Sequence, residues 1–369
     1  MPNEYSSETQ INPQNSQNPH GEHPHHWRRL LIPIIVLGSA LAIALAVTGT
    51  WSARKPEKIY TVGVLRYIKA LEKIEEGFYQ GMENLGYVEG KNVRYIVAPY
   101  GQDPQMPELA QGLIDQNVDL IVAITNVAAT GAKVATEKAG RTDIPIVFAH
   151  ANKPDATGLI NSFKSSGNNL TGVAIDFTEV TAKKLEFLRQ IDPSIKRVGA
   201  FDLVHQNTGG KSVFSELKKV APTFGMDLVL YKVENEPGPK ATAEISGIAA
   251  KVKPGDIDAY FHIPGPSDAV TLDNIRLVIE MTNRLQIPAV YNLGTQVEIG
   301  GLFSYAYDLP LMGKQTAVFA DKVLKGQSPI DIPVEFPNKN SLVINAKTAK
   351  EIGLTIPESL LLIANRIIQ

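Results

Sequence analysis

The chain has 369 residues, 44% apolar and 20% charged, with a formal net charge of −2. That length accommodates two lobes of about 100–200 residues each, and the near-neutral balance gives no reason to expect nucleic acid or anionic lipid as a partner. Cysteine is absent, which excludes disulfides, thiolate metal sites, cysteine nucleophiles and a lipidated bacterial-type anchor.

In chain order, residues 1–29 are a polar tail rich in Asn, Gln, Ser, Pro and His, without apolar periodicity and predicted to be disordered. Its histidines, His20, His23, His25 and His26, read as part of a solvated leader rather than a metal site. Leu30–Ala53 is uncharged. As a helix it reaches roughly 35 Å, enough to cross a ~30 Å hydrocarbon core. Trp27-Arg28-Arg29 and Trp51 with Arg54-Lys55 flank it as interfacial anchors. The run exceeds the usual core of a signal peptide, so an uncleaved transmembrane signal anchor is expected, with cleavage after Ala44-Leu45-Ala46 or near Ala53 as the alternative.

From Lys58 onward strands and helices alternate. Ile59–Leu65 is an apolar, β-branched run, and Leu71–Leu85 has helical spacing closed by Gly86. Asn92–Ala98, Asp119–Ile124, Ile144–Ala149 and Leu170–Ile175 read as strands, with helices over Pro107–Gln116 and Asn126–Ala139. The pattern then restarts, with strands at Arg197–Phe201, Asp227–Val233, Asp258–Ile263, Pro288–Leu293 and Leu302–Tyr307. Helices over Val180–Gln190, Lys211–Phe224, Ala241–Val252, Asp268–Leu285 and Leu311–Leu324 separate and follow them. Such βαβ alternation argues parallel sheets, and two rounds argue two lobes. Continuous apolar strands such as Leu120–Ile124 indicate sheets covered on both faces. The fold class expected is therefore α/β, two doubly wound parallel-sheet lobes joined by a hinge and preceded by one transmembrane helix.

Ligands of open α/β sheets gather beyond the carboxyl ends of strands. The candidate ligand-binding residues at those ends are Arg66, Tyr67, Thr125, Asn126, His150, Asp202, Ser267, Asp268 and Asn292. Thr125 can cap a helix whose first N–H groups favour an anion such as a carboxylate. Tyr67 can stack on a flat or apolar part of a solute. His262 is expected to be buried within its strand. Glu72, Glu75, Glu76 and Glu83 read as the solvated face of one helix, so Glu75 serves as an inert control. His205 stands where a phosphate loop ending in Gly-Lys-Ser needs its first glycine, and no G-x-G-x-x-G follows a strand. Catalytic signatures are missing too, so neither an enzyme nor a cofactor nor a metal is expected.

Several segments resemble the periplasmic substrate-binding proteins of ABC importers, in the branch that includes tryptophan- and tyrosine-binding proteins. They are Ile59-Tyr-Thr-Val-Gly-Val-Leu65, Glu76-Gly-Phe78, Leu85-Gly-Tyr-Val-Glu-Gly-Lys-Asn-Val93, Asp119–Ile124, Ile144–Ala149 and Gly167-Asn-Asn-Leu-Thr-Gly-Val173. Leu342-Val-Ile-Asn345, Lys347-Thr-Ala-Lys350 and Gly353-Leu-Thr-Ile-Pro357 follow the branch's closing pattern. The resemblance implies the periplasmic-binding-protein-like type I fold. The first lobe would hold residues 58–175 plus about 305–342, the second 176–304, with the lobe of 343–369 left open. It implies a membrane-anchored, monomeric, extracytoplasmic protein that delivers a small solute to an ABC permease. A sensing module that signals to a partner protein is the alternative. One departure bears on the solute: where the branch often has Ser-Asp-Pro, this chain has Asn152-Lys153-Pro154. A cation thus replaces an acid that could hold an α-ammonium group, leaving Asp202 or Asp268 to balance one.

Overall fold

The first sheet of the computed structural model has five parallel strands in the order β2–β1–β3–β4–β5 among the described residues, which are 58–369 apart from 102, 206–207 and 265–271. They are β1 (Tyr60–Leu65), β2 (Val93–Val97), β3 (Leu120–Ile124), β4 (Ile146–Asn152) and β5 (Leu170–Ile175). Helices α1 (Glu72–Asn84), α2 (Met106–Ile114) and α3 (Asn126–Lys138) connect the first four. The period-2 alternation of a strand decides how each face is filled. In β3, Leu120, Val122 and Ile124 join the core under α1, whereas Ile121 and Ala123 join the one under α2 and α3.

A second round begins with α4 (Thr181–Ile191), β6 (Arg197–Leu203), α5 (Thr208–Val220), β7 (Asp227–Val233) and α6 (Pro239–Lys251). It continues through β8 (Ala259–Phe261), α7 (Leu272–Leu285), β9 (Ala289–Tyr291), α8 (Gly294–Glu298) and β10 (Phe303–Tyr307). After α9 (Leu309–Leu324) come β11 (Asn340–Asn345), α10 (Ala346–Glu351), α11 (Glu358–Ile363) and β12 (Arg366–Ile368). The second sheet runs β12–β11–β10–β9–β8–β6–β7. Only the β10–β11 pairing is antiparallel among its described pairs. The C-terminal segment therefore belongs to the second lobe. Tyr305 and Leu342, expected in the segment returning to the first lobe, instead pair with each other across β10 and β11.

The chain passes three times between the sheets. After β5 it runs through Asp176–Thr178 into α4. After β10, Asp308 caps α9 by accepting from Leu311 N–H at 3.0 Å, and α9 packs against α1 of the first lobe. The glycines make that contact close: a Cβ at Gly77 would overlap the Pro310 carbonyl, and one at Gly313 the Ile74 carbonyl. Glu335 then bonds to the edge of β5, its N–H donating to Gly172 O and its carbonyl accepting from Ala174 N–H. The third passage leads back to Asn340, opposite Tyr307. All three passages lie at the carboxyl ends of β5 and β10, so those ends of both sheets face one another.

Residues 1–57, with the polar tail and Leu30–Ala53, lie outside the described residues. Among the described residues no helix is long and apolar enough to cross a membrane.

Candidate functional site

At the carboxyl ends of the first sheet, polar groups are largely bonded to one another. Arg66 follows β1. Its Nε donates to Ala98 O at 2.9 Å, its guanidinium lies 4.1 Å from the Tyr100 ring centroid, and NH1 stands 3.6 Å from Glu75 Oε2. Glu75 is consequently buried, not solvated, and it accepts from Tyr100 Oη at 3.4 Å. Burial raises its carboxyl above the ordinary range, with Arg66 opposing that shift. The expectation that Glu75 lies on a solvated helix face is thereby overturned, because Arg66 and Tyr100 cover it. Tyr67 is half-buried against the core under α2 and α3.

Thr125 follows β3 with φ at +94°, a conformation costly for a β-branched residue, and its Oγ1 caps α3 by accepting from Ala128 N–H at 3.4 Å. Asn126 clamps the end of β4: its Oδ1 accepts from Asn152 N–H at 2.6 Å and its Nδ2 donates to Asn152 O at 2.9 Å. A register shift between Ala149 and Ala151 takes His150 out of the β4–β5 pairing at φ +58°. Such a bulge re-aims its side chain, and the ring meets Phe177 edge-on with centroids 5.6 Å apart. Burial lowers the imidazole to about 4. Lys153, also at positive φ, stands 3.4 Å from Asp176 Oδ1, which also accepts from Thr178 N–H and Oγ1. The cation at 153 is therefore an ion-pair partner of the first passage.

Tyr307 joins the first two passages. Its hydroxyl accepts from Asp176 N–H at 3.0 Å and lies 2.6 Å from the Asp176 carbonyl and 3.3 Å from Glu179 Oε2. Burial raises its phenol above the ordinary range.

The second sheet ends differently. Asn292 follows β9 and is 7% exposed. Its Oδ1 accepts from Lys184 Nζ at 2.7 Å, while its Nδ2 has no partner among the described residues. Lys184, in the first turns of α4, is 3% exposed, and burial lowers its ammonium to about 7. His262, just after β8, is 7% exposed, between the rings of Tyr260 and Tyr291, with both nitrogens unpartnered among the described residues. Burial first, and the Lys184 charge second, lower its imidazole to about 3. Asp202 is half-buried in β6, in register with Lys232 of β7. Ser267 and Asp268 lie outside the described residues.

The structure thus brings Arg66, Thr125, Asn126 and His150 to the first sheet's carboxyl ends and Asn292 to the second's. Sequence reasoning passed over Lys184, Asp176 and Tyr307. One signal for Lys184 was present: Val180, Lys184, Phe187 and Ile191 recur at helical spacing, which puts a lysine on an apolar stripe. Among the described residues no cluster of His, Asp or Glu could hold a metal ion.

The tyrosine-binding protein of Clostridioides difficile (strain R20291) is 25% identical over 301 residues, 81% of this chain and 82% of that one. A Streptococcus pneumonia domain solved in complex with L-Trp is 25% identical, with a TM-score of 0.70, over 84% of this chain and 100% of that one. A conserved domain protein of Vibrio cholerae is 25% identical, with a TM-score of 0.69, over 84% and 99% respectively. The profile of the ABC transporter substrate binding protein family matches residues 61–368. With two α/β lobes whose strand ends face one another, and with a family match running through both, this chain belongs to the ABC transporter substrate-binding protein family.

Proposed function

We propose that this protein captures a small solute, an amino acid or related carboxylate, between its lobes outside the cytoplasmic membrane and delivers it to an ABC importer permease. The observation that carries this reading is the meeting of two sets of strand ends at three chain passages, which makes a hinged site. The tyrosine-binding and L-Trp-bound relatives favour an amino acid. Arg66, Tyr67, Thr125, Asn126 and His150 contribute the first lobe's contacts; Asp202, Ser267, Asp268 and Asn292 contribute the second's. The uncharged Leu30–Ala53 run anchors the chain.

A thermal-shift screen of the twenty amino acids and small carboxylates tests the solute. A ligand that binds only the folded state at about 100 times its Kd stabilises by roughly 2.7 kcal/mol, a shift of several degrees. A flat profile across the whole panel overturns the reading.

A further inference from the structure

A lysine that is 3% exposed, with an uncharged amide as its one hydrogen-bond acceptor among the described residues, is an unfinished electrostatic arrangement. An ammonium has three donors and accepts nothing. Nζ donates one to Asn292 Oδ1 and lies 5.5 Å from the Phe261 ring centroid. Because Lys184 can only donate, the Asn292 amide is oriented with Oδ1 toward it, which leaves Nδ2 as a second donor without a partner among the described residues. A buried charge in this condition is costly unless an opposite charge meets it.

No carboxylate of the protein supplies that charge among the described residues. On α4 itself, Lys183 and Glu186 pair with each other at 2.8 Å, and Arg189 donates to Phe224 O. On α5, Glu216 stands 3.7 Å from Lys219, Lys218 lies over Phe214 and Lys211 is exposed. β9 and β10 present only Tyr291, Tyr305 and Tyr307, and β8 leads to His262. Ahead of α4, Asp176 is engaged by Lys153 and Thr178, and Glu179 by Tyr307. Burial alone accounts for the lowered ammonium.

The pair lies at the second sheet's carboxyl end, beside the passage between the lobes. Asn292 is the first residue beyond β9, and its neighbour Leu293 packs against the first lobe's core. α4 starts five residues past Asp176, where the chain enters the second lobe. We propose that Lys184 and Asn292 form the second lobe's anion receptor, in which Lys184 Nζ and Asn292 Nδ2 hold the two oxygens of the solute's carboxylate. This rests on the solute-binding reading and gives it a chemical class. A carboxylate matches one positive charge and two adjacent donors. It also moves the anion away from Thr125, whose hydroxyl already caps α3.

The test compares the full chain with Lys184→Met and Lys184→Gln. Calorimetry at pH 6.5 measures L-tyrosine and L-tryptophan against their carboxamides, which keep every group except the anion. The wild type is expected to prefer the acids by ~10- to 100-fold, as for a hydrogen bond to a charged group, and both variants to lose the preference. From pH 7 to 8.5 the wild type should take up a proton on binding an acid, seen as a dependence of heat on buffer ionisation enthalpy, and its affinity should fall toward tenfold per pH unit. The variants should show neither effect. Without solute, Lys184→Met should melt higher than wild type at pH 6, because it removes an uncompensated charge, whereas a lysine serving a structural role would make it melt lower. A lower melting temperature for Lys184→Met, or a preference for acid over amide that survives in both variants, overturns the proposal. Equal binding of acid and amide by the wild type overturns this assignment alone. Failure of the wild type to bind any amino acid or carboxylate removes the solute reading and the proposal together.

Discussion

The two lobes share a fold plan but differ at their mouths. At the first lobe's strand ends, Arg66, Thr125, Asn126, Lys153 and Asp176 find partners inside the protein, and among the described residues the buried Asn152 Nδ2 there has none. At the second lobe's ends, Lys184 has one neutral acceptor, and His262 and Asn292 Nδ2 have none among the described residues. One mouth is framed largely by its own hydrogen bonds, whereas the other holds buried polar atoms that no described residue satisfies. Unsatisfied buried polar groups cost stability, so the second lobe's mouth is the one built at a loss.

The largest test of that contrast is acid. His150 of the first lobe and His262 of the second have imidazoles lowered to about 4 and about 3. Below pH 6.5 the unfolded chain binds protons that the folded one refuses, so stability falls as pH drops toward 4. Each ring contributes about 1.4 kcal/mol per pH unit in that window. Denaturant titrations at pH 7 and 4.5 measure the drop. His262→Phe should reduce it and His150→Phe should reduce it less; equal slopes in wild type and His262→Phe would remove the second lobe from the account.

Gly313→Ala strikes the first lobe's frame, where a Cβ would overlap the Ile74 carbonyl between α9 and α1. Overpacking of this kind costs about 1–3 kcal/mol or more. Because α9 is tied to the second sheet through Tyr307, both lobes should lose stability in one transition. Two separated transitions in circular dichroism and fluorescence would mean that the passages do not couple them.

Asn292→Asp places a carboxylate beside Lys184. The unliganded protein should gain about 1 kcal/mol, the scale of a charge-assisted hydrogen bond. Affinity for a carboxylate solute should fall tenfold or more, since the anion's place is taken. A variant that binds such a solute as wild type does would separate Asn292 from the anion.

Glu75→Gln is the smallest change. Losing the Arg66 ion pair should cost about 1 kcal/mol in thermal melts, offset in part by relief of a desolvated carboxylate. A cost above that of Gly313→Ala would place the weight of the first lobe's frame on this pair rather than on the α1–α9 contact.

Apart from the short α8 (Gly294–Glu298), the strands and main helices were legible from Lys58 to Leu324, because their signals are local: apolar runs such as Leu120–Ile124, β-branched content and stop residues such as Gly86. The strand ends named as ligand sites were legible for the same reason, since a loop after a parallel strand is placed by the strand itself. The chemical state of the residues in those loops was not. Asn126 reads as a ligand donor in sequence, yet its amide is engaged by the backbone of Asn152, 26 residues on.

Periodicity was enough for two rounds of α/β alternation and sheets covered on both faces, and the resemblance to the family rested on short motifs such as Leu342-Val-Ile-Asn345. Long-range packing set the antiparallel pairing of β11 with β10, the cover of Arg66 and Tyr100 over Glu75, and the burial of Lys184 against an amide 108 residues away. Helical spacing can place a lysine on an apolar stripe, but whether its charge finds a counter-charge, and so what it is worth to a ligand, depends on groups that the fold brings from other parts of the chain.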